Sequence, residues 1–327
     1  MIITRTPFRI SFIGGGSDMP SYYKRFPGCV LSSTINKFMY IASHRFFDKN
    51  KVRLKYSKTE TIQNINNIKH PIFREVLKKF NFEGGIEFSS IADVPSGTGM
   101  GSSSSFTVGL LHNAYVNRKK YVSKETLARD ACEIEIDILN EPIGKQDQYA
   151  ASYGGINAIQ FNTDDSVNVE KIYLKKSILT ELERNLVLFY TGEKRAAHTI
   201  LEEQKRNLLQ DKYAGYMKHM VSLVNEAKSF LINNKLDDFA RTLSENWEIK
   251  KKLSSNVSNE MIDRIYRVAM KNGAIGGKLL GAGESGFFLF YCPYKKQQIL
   301  EDKIGLKKFD FKFESEGSKV IHYSDED

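Results

Sequence analysis

Hydrophobic and polar residues alternate along three segments in the first half of the chain. Residues 2–13 place Phe8 and Ile10 on one side of an extended chain, which predicts a β-strand. Segments 38–47 and 85–92 are rich in aromatic and β-branched residues and predict two further strands.

Helical spacing of apolar residues dominates the middle of the chain. Segment 106–117 follows a glycine cluster, and segment 126–139 follows Ser123, a residue type that often caps a helix N-terminus. The same spacing predicts four more helices, at 198–209, 214–233, 236–253 and 260–271.

Short apolar runs return near the C-terminus. They predict strands at 276–280, 287–292 and 309–313. Because strands and helices are mixed without a regular βαβ period, the pattern favours an α+β fold. A polar stretch at 162–166 marks a domain boundary, and we expect an N-terminal domain over 1–175 and a C-terminal domain over 176–327.

The composition is that of a globular protein. The chain has 327 residues, of which 41% are hydrophobic and 27% charged, so disordered, collagen-like and disulfide-scaffold classes are excluded. No apolar run approaches the length of a membrane span, and the N-terminus lacks the apolar core of a signal peptide. The three widely separated cysteines predict reduced thiols, and we expect a cytoplasmic protein without a membrane partner.

The formal net charge is +9, which raises the question of an anionic partner. The lysines are scattered, and the longest basic run is Lys250 to Lys252. A solvated basic surface and attraction of a small anionic substrate both explain this pattern. Nucleic acid is not the expected partner, because no basic stripe with interleaved aromatic residues occurs.

One glycine- and serine-rich segment, between a predicted strand and a predicted helix, is suited to phosphate binding. Glycines allow main-chain N–H groups to face a ligand, and a helix N-terminus attracts an anion. It lacks the lysine of a Walker A loop, so a flexible turn is the competing interpretation. The candidate nucleotide-binding residues are Pro95, Ser96, Gly97, Thr98, Gly99, Met100, Gly101, Ser102, Ser103 and Ser104.

Three other segments carry candidate chemistry, each with a plain structural alternative. A triple-glycine turn ends in Asp18, which either binds hydroxyl groups or caps the next helix. Glu135 and Asp147 form a candidate pair, in which one carboxylate binds a metal ion and the other accepts a proton. The structural alternatives are a solvated helix residue for Glu135 and a helix cap for Asp147. Segment 276–288 is either part of a site or an ordinary hairpin with a wide loop.

In this order and spacing, the motifs resemble those of the GHMP kinases. Residues 6–18 match the first family motif, 95–103 match Pro-x-x-x-Gly-Leu-Gly-Ser-Ser with Met100 for leucine, and 281–288 match the third. The resemblance implies an N-terminal α+β domain with a left-handed crossover, a ferredoxin-like C-terminal domain, and an active site between them.

The resemblance also implies roles for single residues, with ATP and Mg²⁺ as cofactors. Ser103 and Glu135 match magnesium ligands, and Asp147 matches the residue that orients or deprotonates the attacking hydroxyl. Arg9 is expected beside Asp147 as a second catalytic residue. The expected sugar-binding residues are Gly15, Gly16, Ser17 and Asp18.

Within the family, the triple glycine and the segments 144–148 and 190–192 resemble the sugar 1-kinase subgroup. That subgroup contains D-glycero-D-manno-heptose 7-phosphate kinases and the kinase half of L-fucokinases. The chain has the length of the kinase unit alone, which favours a heptose 7-phosphate kinase over an L-fucokinase. The expected small-molecule substrate is therefore a sugar phosphate. We expect the protein to be a monomer or homodimer. Arg195 is then the candidate for the substrate phosphate, unless it is a surface arginine.

A free-sugar kinase and a catalytically inactive sugar and ATP sensor remain the alternatives. Two departures from the family pattern bear on the site. Glu284 and Ser285 stand where Gly-Gly is usual, so a carboxylate either approaches nucleotide phosphate or points to solvent. Lys145 replaces a small residue and is expected to pair with Asp147 or to contact phosphate.

Overall fold

The computed structural model describes residues 1–192 and 197–324. Its strands are β1 (Ile2–Ile13), β2 (Gly28–Arg45), β3 (Val52–Lys55), β4 (Thr59–Ile62), β5 (Ile86–Ala92), β6 (Ile156–Phe161), β7 (Val167–Lys171), β8 (Leu186–Tyr190), β9 (Gly276–Leu279), β10 (Phe287–Tyr291), β11 (Lys308–Phe309) and β12 (Lys319–Tyr323).

Helices connect these strands in both halves of the chain. They are α1 (Pro20–Tyr23), α2 (Pro71–Lys79), α3 (Ser102–Asn117), α4 (Lys124–Cys132), α5 (Gln146–Tyr153), α6 (Lys176–Asn185), α7 (Ala197–Asn207), α8 (Asp211–Ile232), α9 (Leu236–Lys250), α10 (Glu260–Lys271) and α11 (Gln297–Ile304).

The first sheet has the order β12-β1-β2-β5-β3-β4, with β6 paired to β2 and β7 to β6. Besides pairing with β1, strand β2 is long enough to pair with two further strands. Its residues 28–33 pair with β6, and its residues 39–45 pair with β5. Sequence periodicity predicts only its second half, because buried polar residues such as Ser32 and Thr34 interrupt the apolar pattern in the first half.

Strands β3 and β5 are parallel neighbours, and β4 and α2 lie between them in sequence. The resemblance implies a left-handed crossover in this domain, and its hand stays a prediction. Helix α3 packs against β1 and β2 on the same sheet. It begins at Ser102, four residues before the predicted start, so the glycine-rich segment runs directly into its first turn.

The second sheet has the order β11-β8-β10-β9, and all neighbouring pairs are antiparallel. Helices α7 to α10 lie between β8 and β9, and α11 lies between β10 and β11. This is the βαββαβ connectivity of a ferredoxin-like unit, so the predicted C-terminal architecture is confirmed.

The two halves of the chain are joined by packing. Strand β12 returns to the first sheet beside β1, while α8 and α9 pack against β1. These contacts bring the start of the chain, the glycine-rich segment and the end of α9 to one place. The domain boundary after residue 175 stays a prediction.

Candidate active site

A cavity of about 160 Å³ opens where β1, the start of α3, α5 and α9 meet. Its size suits a small substrate, since a water molecule occupies roughly 30 Å³ in the liquid. Three of the polar side chains predicted from sequence border it, those of Arg9, Asp18 and Asp147. The lining residues used below are Arg9, Ser11, Gly15, Gly16, Asp18, Gly99, Gly101, Gly144, Gln146, Asp147, Gln204, Lys250, Lys278 and Gly281.

Arg9 and Asp147 form a bidentate ion pair that borders the cavity. Arg9 Nε donates to Asp147 Oδ1 at 2.7 Å, and a terminal guanidinium nitrogen donates to Oδ2 at 2.8 Å. The other terminal nitrogen donates to the carbonyl oxygen of Gly99 at 2.6 Å. Asp147 lies in the first turn of α5 and bonds to Arg9, so the alternative that its side chain serves as a helix cap is wrong.

Asp18 is buried in the same cavity, beside the start of α5. Its two carboxylate oxygens accept the main-chain N–H groups of Gly16 and Gln146, at 2.9 and 3.1 Å. Burial raises the pKa of this carboxyl group, and the nearby Asp147 adds to the rise. Helix α1 has no side-chain cap, so the cap interpretation of Asp18 is wrong.

The glycine-rich segment packs on the turn between β9 and β10. Gly97, Gly99 and Gly101 all have positive φ, which suits glycine. A Cβ atom on Gly281 would lie 2.4 Å from Cα of Gly99, so the two loops touch through their main chains. Segment 276–288 is therefore a hairpin, as one interpretation predicted, and its loop also supports the candidate nucleotide-binding segment.

Glu135 sits behind the start of α3. It lies on a π-helical turn, Glu133–Ile138, that continues α4, whereas the sequence predicts one unbroken helix. Its carboxylate accepts from the Ser103 hydroxyl at 2.9 Å and from the Gln148 amide at 2.6 Å. Only 1% of Glu135 is exposed, so the solvated-helix interpretation is wrong, and burial raises its pKa to about 7.

Two buried lysines of the cavity were not predicted from sequence. Lys250 donates to the carbonyl oxygen of Gly281, and Lys278 donates to Ser11 and Phe12 carbonyl oxygens at 2.8 and 3.0 Å. Burial lowers the pKa of Lys250 to about 8 and that of Lys278 well below its usual value. Lys250 begins the basic run 250–252, and only its position at the end of a helix distinguishes it from its solvated neighbours.

Some predicted residues lie elsewhere. The Ser17 hydroxyl faces Cys29, donating to its carbonyl oxygen at 2.9 Å, so it turns away from the cavity. Lys145 was expected to pair with Asp147 or contact phosphate; instead it bonds to Asp165 at 2.9 Å, across the Tyr23 ring. Arg195 lies outside the described residues.

Glu284 occupies the β9–β10 turn with a positive φ of 64°. Its main-chain N–H donates to the Val257 carbonyl oxygen at 2.8 Å, and its own carbonyl oxygen accepts from Asn259. The turn is thus anchored to the segment before α10 in spite of the residue change. Whether the carboxylate approaches nucleotide phosphate stays a prediction.

Gly144→Ala should displace the Asp18 side chain. A Cβ at residue 144 would lie 2.0 Å from Asp18 Oδ2, so the carboxylate must move. We expect KM for the acceptor substrate to rise about tenfold or more, which corresponds to about 1.4 kcal/mol, while nucleotide affinity is unchanged. Steady-state kinetics checks this, with Gly215→Ala as the control because a Cβ there meets nothing within 4 Å. An unchanged acceptor KM would contradict the role of Asp18.

Gly281→Ala should weaken nucleotide binding. The new Cβ would meet Cα of Gly99 and push the glycine-rich segment away from its present position. We expect ATP affinity, measured by titration calorimetry, to fall by about tenfold or more. Gly305→Ala is the matched control, since its φ of 71° is close to the 75° of Gly281 but its Cβ would meet nothing within 4 Å. Equal ATP affinity in both variants would disprove the coupling.

Comparison with protein families identifies the chain. The model of the GHMP kinase N-terminal domain matches residues 66–155, and that of the GHMP kinase C-terminal domain matches residues 227–302. The chain belongs to the GHMP kinases. It is therefore a phosphotransferase, and the predicted resemblance and two-domain family fold are confirmed.

Individual relatives agree with this assignment. The chain is 32% identical over 337 residues to D-glycero-alpha-D-manno-heptose 7-phosphate kinase of Campylobacter jejuni, covering 97% of this chain and 98% of the relative. It is 26% identical to the bifunctional fucokinase/GDP-fucose pyrophosphorylase of Arabidopsis thaliana, covering 86% of this chain but 29% of that enzyme.

A solved structure shares the GHMP kinase fold over the full chain length. It is a D-glycero-D-manno-heptose 1-phosphate kinase from Bacteroides thetaiotaomicron, with a TM-score of 0.81 at 24% identity, covering 99% of this chain and 100% of that one. Across residues 1–192 and 197–324, this GHMP kinase has no helix long and apolar enough to cross a membrane.

Proposed function

We propose that this GHMP kinase transfers the γ-phosphoryl group of ATP to the anomeric hydroxyl of D-glycero-D-manno-heptose 7-phosphate, forming the 1,7-bisphosphate. The observation that carries the proposal is the Arg9–Asp147 pair, which borders the same cavity as Asp18 and the glycine-rich segment. The similarity to the Campylobacter heptose 7-phosphate kinase along nearly the whole chain supports this substrate.

Asp147 would accept a hydrogen bond from the attacking hydroxyl and orient it. Both carboxylate oxygens already accept from Arg9, but a carboxylate offers about four lone-pair sites and retains room for another donor. An anomeric hydroxyl is more acidic than an ordinary alcohol, so a strong base is not required. Arg9 would keep the Asp147 side chain in one orientation.

Asp18, Gly15 and Gly16, which border the same cavity, would bind the sugar hydroxyls. Asp18 accepts hydrogen bonds from two main-chain N–H groups, and these bonds fix the orientation of its carboxylate before the sugar binds. Its raised pKa reflects burial that a hydrogen-bonding sugar would compensate. Arg195 remains the proposed partner of the substrate phosphate.

The glycine-rich segment and the start of α3 would hold the phosphates of ATP. The first N–H groups of a helix lack partners within the helix and attract anions. Ser103 and Glu135 fit a magnesium ion, because Mg²⁺ takes hydroxyl and carboxylate oxygens and these lie 2.9 Å apart. When bound there, Mg²⁺ would neutralise phosphate charge, which is the main requirement of phosphoryl transfer.

The test is ADP release with ATP and Mg²⁺ against five acceptors: D-glycero-D-manno-heptose 7-phosphate, sedoheptulose 7-phosphate, L-fucose, galactose and mevalonate. We expect turnover with the first alone. Turnover with L-fucose alone would replace the substrate and keep the site. ATP binding without turnover on any acceptor would instead indicate a sensor that performs no chemistry.

A further inference from the structure

Three cationic side chains among the described residues line the cavity, and they differ in how many of their N–H groups are already used. Arg9 gives two nitrogens to Asp147 and the third to the Gly99 carbonyl oxygen. Lys278 gives hydrogen bonds to two carbonyl oxygens, those of Ser11 and Phe12. In the described part of the chain, Lys250 donates one hydrogen bond, to the Gly281 carbonyl oxygen. An ammonium group has three donors, so Lys250 retains the larger unused capacity.

The charges of the cavity favour the same residue. The bidentate contact with Asp147 compensates the positive charge of Arg9 before any phosphate binds. Lys278 lies under the β1 main chain and is 2% exposed. Lys250 borders the cavity within electrostatic reach of Arg9, Asp18 and Asp147, without a direct ion pair to either carboxylate among the described residues.

Lys250 also lies near both the glycine-rich segment and Asp147. Its hydrogen-bond partner Gly281 touches Gly99 of the glycine-rich segment. A Cβ on Gly101 of that segment would lie 3.0 Å from Asp147 Oδ2, so the segment and the hydroxyl-orienting carboxylate are neighbours. Lys250 therefore borders the same cavity as the glycine-rich segment and Asp147.

We propose that Lys250 is a catalytic residue whose ammonium group binds the γ-phosphate of ATP and remains on it during transfer. This inference rests on the proposed function for the position of the nucleotide. The end of α9 delivers the side chain, and Gly281 holds it in place while leaving donors for the phosphate oxygens. The lowered pKa of Lys250 agrees with an ammonium group that lacks a compensating anion, which a phosphate would provide.

The first test compares two nucleotides that differ by the γ-phosphate. Titration calorimetry with Mg²⁺ measures the affinity of AMPPNP and of ADP for the wild type, Lys250→Met and Lys252→Met. Lys252 is the matched control, since it belongs to the same basic run and is exposed. We expect Lys250→Met to lose about tenfold in AMPPNP affinity and to keep its ADP affinity within twofold, while Lys252→Met changes neither.

The second test is turnover. We expect kcat of Lys250→Met to fall by about 10²- to 10³-fold, as on removal of one charge-stabilising donor, and Lys250→Arg to recover part of it. Equal losses of AMPPNP and ADP affinity would mean that Lys250 only supports the Gly281 turn, and would overturn the proposal. Unchanged AMPPNP affinity, or a rise confined to the acceptor KM, would also overturn it.

The two proposals fail in different ways. If the wild type phosphorylates none of the five acceptors but Lys250→Met still loses AMPPNP affinity while keeping its ADP affinity, the substrate assignment fails and the role of Lys250 stands. If the wild type phosphorylates the heptose 7-phosphate and Lys250→Met keeps its kcat, the role of Lys250 fails and the function stands.

Discussion

Asp147→Asn should reduce kcat by about 10³-fold, within the 10²- to 10⁴-fold range typical of a positioned acid or base. The substitution preserves the shape of the side chain but removes the negative charge that we propose orients the hydroxyl. One of the two oxygens facing Arg9 becomes an N–H₂ group, which repels the guanidinium donors at 2.7 and 2.8 Å. ADP release with the accepted sugar measures the effect.

The same change should also cost stability. Arg9 has 6% of its side chain exposed, so losing its anionic partner leaves a buried cation with only neutral acceptors, the Gly99 carbonyl and the one amide oxygen that the variant retains. Removing one partner of a buried ion pair costs about 3–5 kcal/mol, and the 20% exposure of Asp147 places this pair toward the lower end. Thermal unfolding must therefore confirm that the variant is folded at the assay temperature.

Asp165→Asn is the matched control for Asp147→Asn. Asp165 also pairs with a cation, Lys145, which lies two residues before Asp147, but about half of its side chain is exposed. We expect kcat of this control within about twofold of the wild type, because exposed ion pairs contribute little. A kcat within threefold of the wild type for Asp147→Asn would reject its catalytic role.

Local sequence patterns predicted the elements that alternate or repeat strongly. Strand β1 and helix α10 have the predicted bounds because their apolar residues follow one period from end to end. Periodicity did not identify α5, a short helix with a mixed sequence, or the first half of β2, where buried polar residues break the pattern. These elements are stabilised by neighbours that are distant in sequence, which local periodicity does not report.

The site divides in the same way. Arg9, Asp18 and Asp147 lie in recognisable motifs, and the structure brings them to one cavity. Lys250 and Lys278 belong to no motif, and their burial depends on the packing of α9 against β1 and β9. Burial of a lysine is a property of the assembled fold, so a basic run in the sequence predicts a solvated surface until the fold is known.

Glu135→Gln tests two proposed roles of Glu135, which are magnesium binding and a pH-dependent contribution to the free energy of unfolding. We expect at least a 10²-fold loss of kcat, because the amide is a poorer ligand for Mg²⁺ and removes a charge beside the phosphates. In the wild type without Mg²⁺, burial raises the Glu135 pKa from 4.5 to about 7, which corresponds to about 3 kcal/mol. Because the folded state holds this proton more tightly, the contribution is complete below about pH 4.5 and is lost as pH rises through 7.

Denaturant unfolding between pH 5 and pH 8 in EDTA tests this assignment. Relative to Glu135→Gln, the wild type should lose about 2.5 kcal/mol of unfolding free energy over that range, since part of the contribution is already lost at pH 5. Added Mg²⁺ should stabilise the wild type more at pH 8 than at pH 5, since the ion displaces the proton, and should do little for the variant. Glu133→Gln is the control, because Glu133 shares the π-helical turn but pairs with Lys79 and is half exposed. If Mg²⁺ stabilises Glu135→Gln and the wild type equally, the ion binds elsewhere, and Glu135 acts only through its hydrogen bonds to Ser103 and Gln148.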